Sequence, residues 1–264
     1  MSHGRTTRRL TRLGLTLPML LFFLIPLVAL LLRTQPGAIF ASLSEPLVSN
    51  AIRLSLVTSS ISTVLIILFG TPLAYQLARR PTPFRRFLDT LVDLPTVLPP
   101  AVAGIALLMA FGRRGLFGPW LSALGIELPF TSAAVVLAQI FIAAPLYIKP
   151  AAVGLAGIDC ELKQAAALDG ATRWQSFRYI SLPLAWPALV SGIVSAWARA
   201  LGEFGATIIF AGNFPGRTQT MPLSIYIGFE TNLDTALTLS VILIGTSFFT
   251  LLLVKLLLLR KIDS

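Results

Sequence analysis

Residues Gln164 to Pro183 read QAAALDGATRWQSFRYISLP, a polar stretch of about twenty residues between two long apolar runs, and that polarity places it in water. Beginning just ahead of it, Cys160 to Leu168 reads as a short helix with Leu162, Ala165, Ala166 and Leu168 on a partly apolar face. Gly170 closes this helix, because glycine enters the left-handed turn at no steric cost. Thr172, followed three residues later by Gln175, matches a capping box that starts a second short helix carrying Trp174, Phe177, Arg178 and Tyr179. A small-residue face allows another protein to approach closely, and an exposed aromatic beside it can fill a pocket on that partner. The alternative is a loop packed only on its own bundle, and the local residues favour neither.

Working outward, 55% of the chain is hydrophobic and 12% charged, with a mean hydropathy of +0.82. That leaves too few polar side chains to coat a soluble globule of 264 residues. A hydrocarbon core of about 30 Å takes roughly 20 apolar residues per helix. Six segments supply them: Leu13 to Leu32, Ala51 to Leu77, Leu91 to Ala110, Ser132 to Leu155, Leu184 to Phe210 and Leu233 to Leu259. These runs are apolar on all faces, whereas barrel strands alternate in polarity over about 10 residues. The chain therefore reads as an all-α polytopic membrane protein with six transmembrane helices. No spacer or strong repeat divides it, so residues 1–264 form one domain with a water-exposed loop at about 157–183.

The net charge of +10 is distributed by loop. Arg5, Arg8, Arg9 and Arg12 precede the first span, and Arg79, Arg80, Arg85 and Arg86 follow the second. Lys149, Lys163, Arg173 and Arg178 flank the loop after the fourth span, and Lys255, Arg260 and Lys261 end the chain. By the positive-inside rule these mark the cytoplasmic side, so both termini are expected inside. The opposite loops hold Arg33, Arg113, Arg114 and Arg217, with Arg53 near the entry to the second span; the pair at Arg113 and Arg114 weakens the pattern without reversing it. No basic soluble face with interleaved aromatics is visible, so nucleic acid is not the expected partner. The first apolar run exceeds the about 7–15 residues of a secretory signal and closes on Arg33 without a small-x-small site, which favours a retained anchor.

Chemistry on the chain itself has few candidates. Cys160 is the sole cysteine and His3 the sole histidine, so neither an internal disulfide nor a metal site is expected. No Lys follows a Gly anywhere, so the glycines at Gly112, Gly115 and Gly118 are not a Walker A loop and belong with Pro119, Gly125 and Pro129 to an external loop, Gly112 to Thr131. No catalytic residue is expected. Arg33 to Asn50 is read as a further external loop, and Gly212, Asn213, Pro215, Gly216 and Arg217 as an external turn that either contacts a partner or merely connects two segments. Only five residues follow Leu259, so no appended regulatory domain is expected.

Three features inside the spans carry alternatives. Pro95, Pro99 and Pro100 interrupt the start of the third span, so that helix is bent or begins late. Pro145 and Pro150 suggest distortion in the fourth. Asp89 and Asp93 at the third span's mouth either pair at the interface with Arg85 or Arg86, which the frequency of interfacial charges favours, or serve a pathway. Arg199 and Glu203 stand one helical turn apart in the fifth span and can pair. With a helix starting near Leu184, Arg199 falls about 22 Å along it, toward the outer half of the membrane. The pair, with Gly202 and Gly205 easing movement, either shapes an external gate or is a fixed ion pair between helices.

The loop resembles that of importer-type permeases of the ATP-binding-cassette superfamily, which carry Glu-Ala-Ala, three residues, Gly, nine residues, Ile, one residue and Leu-Pro. Ala165, Ala166, Gly170, Ile180, Leu182 and Pro183 match; Gln164 stands where the family has Glu, which removes a charge and leaves the docking shape. The run DLPTVLPPAVAGIALL from Asp93 and the segment from Trp197 to Tyr226, with Pro-Gly-Arg-Thr-Gln-Thr before Pro-Leu, look like the molybdate permease subfamily, a relative of sulfate and tungstate permeases. That resemblance implies the type I importer permease fold in a bacterial plasma membrane, a homodimer, two cytoplasmic ATPase subunits carrying ATP and Mg, and an extracytoplasmic binding protein delivering a tetrahedral dianion. It implies no cofactor on this chain. An ion-coupled secondary transporter, with Glu203 as its coupling carboxylate, and a non-transporting scaffold are the rivals.

Overall fold

The computed structural model describes residues 3–34, 36–79 and 82–262, without the side chains of residues 3–15, 36, 38, 40, 254, 255 and 257–262. His3, Arg5, Arg8, Arg9, Arg12, Arg80, Lys255, Arg260 and Lys261 lie outside the described side chains. The described residues form helices and no strands: α1 (His3–Arg33), α2 (Pro36–Leu43), α3 (Pro46–Leu77), α4 (Pro83–Val97), α5 (Pro100–Phe111), α6 (Gly118–Ala123) and α7 (Ser132–Ala156) come first. They continue with α8 (Cys160–Leu168), α9 (Arg173–Ser176), a π-helical turn (Phe177–Ser181), α10 (Leu182–Leu201), α11 (Gly205–Phe210), α12 (Met221–Thr231) and α13 (Leu233–Ile262). Among the described residues, five helices are long and apolar enough to cross a membrane, or six when the bent pair α4 and α5 counts as one span.

Helix α7 lies at the centre, packed along α10 and α3. Small residues make this possible, since apolar tails drive no association between helices in lipid and close backbone approach must do so instead. A Cβ on Gly154 would stand 2.4 Å from the Cβ of Ala188, so α7 and α10 meet there only because one side has no side chain. Polar side chains add hydrogen bonds across the same seam. Ser62 Oγ donates to Gln139 Oε1 at 2.8 Å, Gln139 Nε2 donates to Thr58 Oγ1 at 3.2 Å, and the hydroxyls of Thr71 and Tyr147 meet at 2.6 Å. Fully satisfied, such groups cost little in hydrocarbon. A second cluster joins α5, α7 and α11 around Leu107, Ile142 and Phe210, and a third joins the start of α3 to α12 and α13 around Val48, Met221 and Leu239.

The structure alters four of the sequence-based boundaries. The third span, expected from Leu91 to Ala110, is two helices bent by 117° at Leu98 and Pro99, so the bend implied by the prolines is present and the straight span is not. The fifth, expected from Leu184 to Phe210, instead runs from Arg173 to Leu201 and breaks at Gly202 to Phe204 before α11. The external loops are also partly helical: α2 and the start of α3 occupy Arg33 to Asn50, and α6 lies within Gly112 to Thr131. Proline at the first turn explains the helices after Glu45 and Phe117, because its missing N–H is an orphan there anyway. Helix α12, of 11 residues, is too short to cross a bilayer and begins where Ser55 Oγ accepts from the Met221 N–H at 2.7 Å.

Candidate functional site

The loop at 157–183 is built from local signals that all close. Asp159 caps α8 by accepting from the Glu161 N–H at 2.9 Å. At the other end Gly170 has φ +84°, the Ala171 N–H bonds the Ala166 carbonyl at 2.9 Å, and the Gly170 N–H bonds the Ala167 carbonyl at 3.1 Å. This is a Schellman closure, and it satisfies carbonyls that have no partner within the helix itself. Thr172 then forms the capping box with Gln175, whose side chain accepts from the Thr172 N–H at 2.8 Å. No residue of α8 is buried, and Leu168 is 89% exposed, so the loop's first helix is not packed into its own bundle. Gln164 is exposed, its Nε2 within 3.6 Å of the exposed Cys160 sulfur.

The second half of the loop is not a separate short helix. It passes through the π-helical turn directly into α10, making a continuous segment from Arg173 to Leu201. Ile180 lies in that turn, and Leu182 and Pro183 open α10. Pro183 has no N–H and its ring crowds the carbonyl four residues back, so the helix widens and the Leu182 N–H reaches the Phe177 carbonyl. Phe177 turns toward α3, where its ring meets Tyr75 edge-on at 5.3 Å, while Tyr179 is 71% exposed.

At the far end of the same helix stand Arg199 and Glu203. Arg199 is in the last turn of α10, where a cation is favoured by the helix carbonyls, and its Nη1 lies 2.7 Å from Glu203 Oε2. That contact is a close ion pair whose angle falls short of a hydrogen bond, while Oε1 accepts from the Ala206 N–H at 2.8 Å. Glu203 is 1% exposed and Arg199 34%, so the acid is the buried member. The pair therefore belongs to a break between α10 and α11. Gly202 ends α10, and Gly205 begins α11 so close to α5 that a Cβ would stand 2.7 Å from that of Pro100.

Asp89 and Asp93 converge on a partner that the sequence reading did not assign to them. Lys149 Nζ donates to Asp89 Oδ1 at 2.6 Å and to Asp93 Oδ2 at 2.9 Å, tying α4 to α7. The expected pairing with Arg85 or Arg86 is thus replaced by a contact across helices, because the acids share the face of α4 that α7 approaches. The signal in the sequence was a lysine between Pro145 and Pro150 in an apolar run, where a charge needs a partner. The turn at Gly212 to Arg217 is held by Ser132 Oγ donating to the Arg217 carbonyl at 2.7 Å and by the Phe214 carbonyl accepting from three N–H groups. Among the described residues no group of three or more metal-ligating side chains occurs.

An all-α, multi-pass bundle with an exposed, capped loop feeding straight into a span defines a membrane transport subunit of the type I importer permease fold. The chain belongs to the family of binding-protein-dependent transport system inner membrane components, whose pattern matches residues 66–262. It is 44% identical over 229 residues to the molybdenum transport system permease protein ModB of Mycobacterium tuberculosis, covering 85% of each chain. It is 35% identical over 210 residues to the sulfate transport system permease protein CysT of Escherichia coli, covering 78% of this chain and 76% of that one. Among solved structures, a bacterial ABC transporter that imports the acidic polysaccharide alginate superposes with a TM-score of 0.74 at 19% identity, over 97% of this chain and 99% of its own. The fold is shared with that transporter across nearly the whole length, and the protein is a multi-pass component of the inner membrane.

Proposed function

We propose that this chain is the permease subunit of an ATP-binding-cassette importer that moves molybdate into the cytoplasm, with ATP and Mg held and hydrolysed on a partner subunit. The observation that carries the coupling half of this reading is the unburied α8, whose apolar Leu162 and Leu168 are 49% and 89% exposed. Both termini lie inside, two copies of the chain enclose the path, two ATPase subunits dock on the loops, and a binding protein delivers the anion outside. ModB relatives support molybdate as the substrate.

Closure of the ATPase pair would move Ala165, Ala166 and Gly170, and the segment from Arg173 to Leu201 would carry that displacement about 40 Å to the break at Gly202. There the Arg199–Glu203 pair and α11 would respond, shifting the balance between inward and outward access through contacts that differ in the two states. The carboxylate of Glu203 is engaged on both oxygens, which supports a positioning role over proton coupling.

Uptake of radiolabelled molybdate at trace concentration, in cells lacking this gene, tests the reading. Molybdate uptake is expected to fall with sulfate uptake intact. The likeness to a sulfate permease supports a second reading within the family, and loss of sulfate uptake alone would select it. Unchanged uptake of molybdate, tungstate and sulfate would reject both.

A further inference from the structure

Beside the docking loop, α3 and the start of the segment running into α10 enclose an apolar groove of about 550 Å³, lined by Ile67, Leu68, Thr71, Pro72, Trp174 and Phe177 among others. It lies between two membrane-spanning segments, with Leu68 61% and Trp174 66% exposed, and it follows α3 for about 12 Å from Ile67 to Tyr75. At its polar end it runs into a second crevice of about 320 Å³, where Lys163 from α8 joins Tyr75, Arg79 and Arg173, residues common to both cavities. No carboxylate lines either cavity. Among the described residues none forms an ion pair with Lys163, Arg79 or Arg173. The Arg79 guanidinium lies over the Tyr75 ring at 5.2 Å, which holds it at the mouth.

We propose that this composite groove is a binding site for an anionic phospholipid. One acyl chain lies along Ile67, Leu68 and Pro72 against Trp174, and the headgroup phosphate is seated between Arg79, Arg173 and Lys163. The charge argument commits to a lipid. Three unpaired cations at one end select an anion, and an apolar trough open to the bilayer selects a tail attached to it. A zwitterionic lipid would gain the trough without neutralising the cations. The bound lipid would bridge the end of α3 to α8 and the capped turn, placing a ligand directly beside the segment that docks the ATPase. The site itself requires only the membrane-spanning fold; the importer reading enters only in making its leaflet cytoplasmic.

The purified full chain carries its own probe. With Trp120, Trp186 and Trp197 changed to Phe, Trp174 remains as the single tryptophan in vesicles of phosphatidylcholine containing a minor fraction of brominated phosphatidylglycerol. Quenching of Trp174 is expected at about tenfold lower mole fraction of brominated phosphatidylglycerol than of brominated phosphatidylcholine. The Arg79→Gln, Arg173→Gln double variant, with helix content unchanged by circular dichroism, is expected to remove that preference. Equal quenching by the two lipids in the parent chain, or an unchanged preference in a folded double variant, would overturn the proposal. Loss of the preference on adding inorganic phosphate at a concentration matched to the lipid would overturn it too, by reducing the site to a seat for a free anion. Because no uptake or ATPase activity is read, failure of the transport assignment leaves this outcome untouched.

Discussion

Gly170 illustrates a residue whose backbone alone decides its role. A Cβ added there meets nothing within 4 Å, yet φ is +84°, so Gly170→Ala is strained by conformation and not by contact. The cost is about 1 kcal/mol, confined to an exposed turn. Thermal unfolding should therefore move little, while substrate-stimulated ATP hydrolysis in the assembled transporter should fall several-fold; unchanged hydrolysis would separate the turn from coupling. The ion pair at Arg199 and Glu203 makes a different residue-level prediction, because its two members are unequally buried. Arg199→Ala strands a carboxylate that is 1% exposed and should cost about 3 kcal/mol. Glu203→Gln leaves an arginine that reaches water and should cost about 1 kcal/mol. Melting temperatures of the two variants in detergent check the order, and equal shifts would mean that the pair is not held as described.

Among elements, the connection of α4 to α7 is the one that a single substitution can weigh. Asp89 and Asp93 lie one turn apart and are held together by Lys149, with all three side chains between about one third and one half exposed. Lys149→Met should leave two like charges facing each other and destabilise by about 1–2 kcal/mol, a figure kept small by solvent screening. Adding Asp89→Asn to that variant should restore part of the loss, and absence of any recovery in a thermal melt would count against repulsion as its cause. The loop elements were readable in advance for a simple reason: the Schellman glycine, the Thr172 and Gln175 capping box and the partly apolar face of α8 are local signals, and each closes within five residues. The pairing of Lys149 was not readable, since its partners lie 56 and 60 residues away along the chain.

For the whole molecule, hydropathy placed the spans and left their continuity undecided. An apolar count registers Leu91 to Ala110 as one segment, although the chain turns by 117° within it. The same count begins the fifth span only at Leu184, because Arg173 to Pro183 is polar, although the helix already runs through that stretch. Membership in the transport family follows from spaced residues that the sequence displays, and the molybdate uptake measurement tests the substrate that the relatives suggest. What the sequence by itself determined was the all-helical membrane class, the water-exposed loop at 157–183 and its caps, since bilayer solvation and helix termination act through neighbouring residues. Only the tertiary structure decided that both acids meet Lys149, where α10 ends, and that α3 and the loop at 157–183 share a cation-lined groove, because those contacts depend on how separate helices pack, which no local pattern encodes.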